Sequence, residues 1–119
     1  MTKINSYRDL IAWQKAISLA KMIYTCTADF PKAERFGLVS QMRRASVSIP
    51  ANIAEGQARN TKGEFKQFLG IASGSLAELE TLTYLSGEFN YIGPDTLEIL
   101  QPLQTEVSKI LNGLFRSLK

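Results

Sequence analysis

The sequence predicts an all-α protein folded as an antiparallel up-down-up-down four-helix bundle. Apolar residues recur at three- and four-residue spacing through four separate stretches, the period of one helical face. Short connections bearing proline or glycine separate those stretches. No stretch alternates as a strand does, and no repeat of solenoid length appears. Amphipathic helices joined by short connections pack beside their sequence neighbours, which is the antiparallel course.

The first helix has a start signal at Ser6, with Asp9 three residues later, close to a capping box. Leu10, Trp13, Ile17, Ala20 and Tyr24 form one apolar row. A second row, Ala12, Ala16, Leu19, Ile23 and Cys26, lies about 120° away, so the two cover an arc of about 200°. Such an arc is wider than one core needs and predicts packing on two sides. Phe30-Pro31 ends the helix, because the proline pushes Phe30 out of the α region.

The second helix is expected to begin near Glu34–Phe36 and to carry Leu38, Met42, Ala45, Ile49 and Ile53 inward. That phase runs straight through Pro50. It favours one kinked helix, although the ring removes an N–H and crowds the Ser46 carbonyl at a cost of about 3 kcal/mol. The alternative starts a new helix at Pro50. Asn52, near the expected kink, is placed to satisfy a backbone group that Pro50 frees. Gly56 and the "QARN" that follows end the segment.

The third helix opens on Thr61-Lys62-Gly63-Glu64, a T-x-x-E capping box. Phe65, Phe68, Leu69, Ala72, Leu76, Leu79 and Leu82 supply its core face. Gly70 and Gly74 sit one turn apart, each costing about 1 kcal/mol against alanine. That cost predicts close backbone approach by another helix, with Ala45, Ala51 and Ala54 as the facing surface. The fourth helix opens at Gly93-Pro94-Asp95 and carries Leu100, Leu103, Val107, Ile110, Leu114 and Leu118, with Pro102 bending its first turns.

A chain of 119 residues makes one domain spanning 1–119, and its 45% hydrophobic and 21% charged content is ordinary for a soluble protein. No apolar run has membrane-spanning length, and "MTKINSYRDL" lacks the apolar stretch of a signal peptide. With one cysteine, Cys26, and no export signal, a reducing cytoplasm is expected. The absence of histidine removes the commonest general base, His-dependent triads and imidazole zinc sites. Charge is divided unevenly. Residues 1–66 carry 11 Lys/Arg against 5 Asp/Glu, whereas residues 67–119 carry 3 against 6. A basic half beside an acidic half suits an anionic partner or head-to-tail self-association.

Four segments taken together carry a family resemblance: "SYRDLIAWQKAISLAKMIY", "FPKAERFGLVSQMRRASVSIPANIAEGQAR", "GEFKQFLGIASGSLAELET" and "GEFNYI". The chain resembles, along nearly its whole length and in the same order, the four-helix bundle proteins of intervening sequences in bacterial large-subunit rRNA genes, the S23-type ribosomal proteins. It is similar too to the accessory variability determinant proteins of diversity-generating retroelements. The resemblance implies a homopentamer, five bundles around an axis forming a barrel with a central channel. It also implies nucleic-acid association, extending in the retroelement relatives to a reverse transcriptase, and no enzymatic activity. Pro102 and the tail after Leu118 lie outside the signature.

The nucleic-acid-binding candidates are Arg43, Arg44, Arg59, Lys62 and Lys66. A polar row of Gln41, Arg44, Ser48, Glu55 and Arg59 runs beside the apolar one, with Arg44 and Glu55 roughly 16 Å apart on one face. Arginines in that row suit phosphate contact without base reading, or ion pairs across a subunit interface. Arg59, Lys62 and Lys66 flank a loop and a helix start and make the better anion site. No DNA-reading motif is present. Glu55, Glu78 and Glu80 lack the Glu-x-x-His pairs of a di-metal bundle, so neither a metal nor a cofactor is expected. Cys26 reads as a small core residue. The expected partners are a second copy of the chain, RNA or DNA, and a protein; no membrane partner is expected.

Overall fold

A computed structural model of the chain describes residues 6–118. Residues 1–5, part of the opening stretch read for an export signal, and residue 119 lie outside the described residues. Four α-helices follow in order: α1 Ile11–Thr27, α2 Leu38–Gln57, α3 Lys62–Glu88 and α4 Pro94–Ser117. Two 3-10 turns, Tyr7–Asp9 and Lys32–Glu34, precede α1 and α2. The described residues contain no strand.

Ser6 and Asp9 do form a reciprocal cap, but around the Tyr7–Asp9 turn rather than around α1. Leu10 is extended, at φ −77° and ψ 128°, so α1 starts at Ile11, later than the cap signal suggests. Ala12, Ala16, Leu19, Ala20, Ile23 and Thr27 are buried along α1, which packs against both α2 and α4. The two sides demanded by its wide apolar arc are therefore covered within one chain. Ile11 and Tyr24 stay exposed at the edges.

The second helix also starts later than the sequence predicts. The Lys32–Glu34 turn intervenes, and Glu34 Oε1 accepts from the Leu38 N–H at 3.3 Å. From Leu38 onward α2 is continuous through Pro50, with Met42, Ala45, Ile49 and Ile53 buried in phase. Asn52 does not serve the Ser46 carbonyl that the proline deprives of a donor. Its Nδ2 donates to the Ser48 carbonyl at 2.8 Å and to Ser48 Oγ at 3.0 Å.

The predicted small-residue contact between α2 and α3 is corrected. Gly70 and Gly74 are exposed, and a Cβ added at either meets nothing within 4 Å. The close approach lies at Gly56, in the last turn of α2. A Cβ there would stand 2.7 Å from Phe68 Cβ and 3.0 Å from Phe65 Cδ1. Helical period alone could not choose between these glycines, because which face meets the neighbour depends on how α3 is rotated. On α3, Leu69, Ala72, Leu76, Leu79 and Leu82 enter the core as expected.

Along α4, Leu100 and Val107 are buried while Leu103, Ile110, Leu114 and Leu118 pack at the core's edge. Leu111 and Gln104, outside the predicted stripe, are buried too. Gln104 Nε2 donates to Thr83 Oγ1 at 2.9 Å, a satisfied polar pair inside the α3–α4 seam. Each helix borders two others, α1 and α3 each contacting α2 and α4, around a shared apolar core.

Candidate nucleic-acid interface

The segment from Arg59 to Lys66 is organised by the α3 cap. Thr61 Oγ1 accepts from the Glu64 N–H at 3.1 Å and donates to Glu64 Oε1 at 3.0 Å. Glu64 is thereby held at the helix start, with Oε2 4.0 Å from Arg59 Nη1. Arg59 Nη2 donates to Glu55 Oε2 at 2.8 Å, and its guanidinium lies 5.0 Å from the Phe68 ring centre. Arg59 thus bridges the end of α2 and the start of α3. Both ion pairs are exposed, each worth well under about 1 kcal/mol. Phosphate oxygens compete with such carboxylates at little cost.

Lys62 is the first residue of α3 and is exposed. Lys66 is half-buried, its ammonium 5.7 Å from the Phe115 ring centre of α4. That contact places the start of α3 beside the end of α4, where the exposed Arg116 adds a further cation. Arg116 lies in the acidic half of the chain, and its place in a last helical turn is the sequence signal that marks it. Phe68 and Phe115 each carry a cation on one face.

Arg43 and Arg44 are adjacent in sequence and part company in space. Arg43 Nε donates to Thr27 Oγ1 at 3.0 Å, and Nη2 donates to the Tyr24 carbonyl at 3.2 Å. Its guanidinium stacks 4.6 Å from the Tyr24 ring centre. A cation bonded to the last turn of α1 complements that helix's dipole, so Arg43 clamps α2 to α1. Among the described residues it makes no ion pair. Arg44 instead lines a polar cleft of about 560 Å³ between α2 and α3, with Phe36, Gln41, Ser48, Ser75 and Glu78. Ser48 and Ser75 share a hydrogen bond of 2.8 Å at its floor. No carboxylate lies within ion-pair distance of Arg44 among the described residues. The predicted polar row therefore splits: Gln41, Arg44 and Ser48 face this cleft, while Glu55 and Arg59 pair with each other.

Cys26 is half-buried, and its thiol donates to the Ile23 carbonyl at 3.6 Å. Burial raises its pKa, outweighing the lowering by the backbone bond and by Arg43. Among the described residues, no three His, Cys, Asp or Glu side chains are grouped to hold a metal ion. No helix among them is long and apolar enough to cross a membrane.

Residues 8–113 match the family model described as 23S rRNA-intervening sequence protein. Among solved structures, the chain is similar to a protein of unknown function from the S23 ribosomal protein family of Bacteroides thetaiotaomicron VPI-5482. The two share 25% identity over 88% of this chain and 98% of that one, with a TM-score of 0.79. No curated protein matches the chain.

Proposed function

The chain belongs to the 23S rRNA-intervening sequence protein family, and from that premise we propose that it is a non-enzymatic, ring-forming bundle protein that associates with RNA or DNA. The reading includes an up-down-up-down antiparallel course for the four helices, assembly as a homopentamer and a cytoplasmic location. The Lys66–Phe115 and Thr83–Gln104 contacts support the antiparallel course, since early α3 meets late α4 and late α3 meets mid α4. Support for the ring comes from large apolar side chains that α3 leaves exposed in the single chain, Ile71 at 47% and Tyr84 at 61%.

One observation carries the nucleic-acid reading. Arg59, Lys62, Lys66 and Arg116 gather where α3 starts and α4 ends, and the carboxylates among them make exposed, exchangeable pairs. Cations so placed contact phosphates and position a strand without reading its bases. Fluorescence anisotropy with labelled RNA and DNA oligonucleotides tests it. Affinity should fall steeply with salt, and the Arg59→Glu/Lys62→Glu/Lys66→Glu variant should abolish binding at moderate salt. Salt-independent binding, or none at low salt, defeats the reading.

A second reading, an adaptor whose oligomer binds a protein, is favoured by a different feature. An open groove along α4 from Leu97 to Ile110 is lined by Leu97, Ile99, Pro102, Leu103 and Ile110. It gains ground if the charge-reversed variant still assembles and retains its cellular partners.

A further inference from the structure

A second basic feature lies away from the Arg59–Lys66 end, between the last turn of α1 and the first turns of α2. There a pocket of about 190 Å³ is lined by Lys32, Arg35 and Arg43 together with Thr27, Phe30 and Val39. No carboxylate lines it. The acids nearest in sequence, Asp29 and Glu34, are not among its lining residues. Asp29 lines a separate pocket with Met22 and Cys26. Glu34 accepts from the Leu38 N–H and the Tyr91 hydroxyl. Lys32 and Arg35 are exposed and form no ion pair among the described residues.

Arg43 is the fixed member of the trio. A guanidinium offers five N–H donors, and two are engaged by Thr27 Oγ1 and the Tyr24 carbonyl. Three remain on a group already held by two bonds and a ring stack, so little side-chain entropy is lost when an anion arrives. Phe30 and Val39 are buried apolar walls that weaken local screening and strengthen attraction for a negative ligand. The geometry points to a phosphate site, with Arg43 as the oriented donor and Lys32 and Arg35 closing from the rim. Three cations with no acid among them favour a phosphate over a single carboxylate. The planar fork of Arg43 matches paired phosphate oxygens. The ligand is a phosphate group, either free or carried by a nucleic-acid strand. The site stands apart from the reading of residues 59–66 and does not depend on it.

Amide chemical-shift titration of the full chain with inorganic phosphate, against sodium chloride at matched ionic strength, tests this. Saturable shifts should concentrate at residues 27–43. The Lys32→Ala/Arg35→Ala variant, which removes two exposed side chains and no helix cap, should keep its fold and bind phosphate at least about tenfold more weakly. Displacement of phosphate by a short oligonucleotide identifies a nucleic-acid phosphate as the natural occupant. Saturation by phosphate that an oligonucleotide leaves untouched identifies a free phosphate or small phosphoester. The Arg59→Glu/Lys62→Glu/Lys66→Glu variant should bind phosphate here as the parent does, which separates this site from the nucleic-acid reading. Absence of saturable shifts at residues 27–43, or equal affinity in the double variant, overturns the proposal.

Discussion

Arg43 and Arg44 show how little residue type settles about a side chain's task. Successive helical positions point about 100° apart, so one guanidinium reaches α1 while the other faces the α2–α3 cleft. The same reasoning governs Gln104, polar in sequence and 3% exposed in the fold. Gln104→Ala leaves Thr83 without its partner in the core and should lower stability by about 1–3 kcal/mol in urea denaturation. Replacing both partners, Thr83→Val with Gln104→Leu, should cost less, because no buried polar group is then stranded. Cys26 gives a pH signature. Its raised pKa keeps the thiol neutral at neutral pH, so alkylation by iodoacetamide should be slower than for a free thiol. The folded state holds that proton more tightly than the unfolded chain. The associated stability is therefore full below the ordinary thiol pKa and is lost as pH rises through the raised one.

At the scale of the element, the glycines carry the sharpest contrast. Gly56→Ala forces a Cβ against Phe68 Cβ at 2.7 Å and should destabilise by about 1–3 kcal/mol. Gly70→Ala and Gly74→Ala enter open space on an exposed helix and should each stabilise by about 0.5–1 kcal/mol. Thermal unfolding of the three single variants distinguishes the two α3 faces directly. If Gly70→Ala destabilises instead, that face is covered in the assembled protein. Helix existence was legible throughout: the Thr61 cap, Pro94 at a first turn and the phase held through Pro50 all appear where the sequence places them. Starts were less legible. The Ser6 cap organises a 3-10 turn, a second 3-10 turn precedes Leu38, and the hydrogen-bonding signals of a 3-10 turn and a first α turn are alike.

For the whole molecule, the proposed ring makes a prediction about mass. Light scattering at micromolar concentration should report about five times the 13.2 kDa chain. Ile71→Glu with Tyr84→Glu, two exposed positions, should shift that mass toward a single chain without loss of helicity. A monomeric parent protein would end the ring reading. The wide apolar arc of α1 does not itself require the ring, since α2 and α4 of the same chain cover it.

Helical period, proline and glycine punctuation, and the missing histidines establish an all-α chain of four helices and turn attention from imidazole chemistry to charge. These are local properties, written in neighbours three and four residues apart. Tertiary structure alone separates Arg43 from Arg44, seats Lys66 on Phe115, makes Gly56 rather than Gly70 the point of contact, and gathers Lys32, Arg35 and Arg43 around one pocket. Each depends on how one helix is rotated and shifted against another. Periodicity identifies a face, and only packing decides what that face meets.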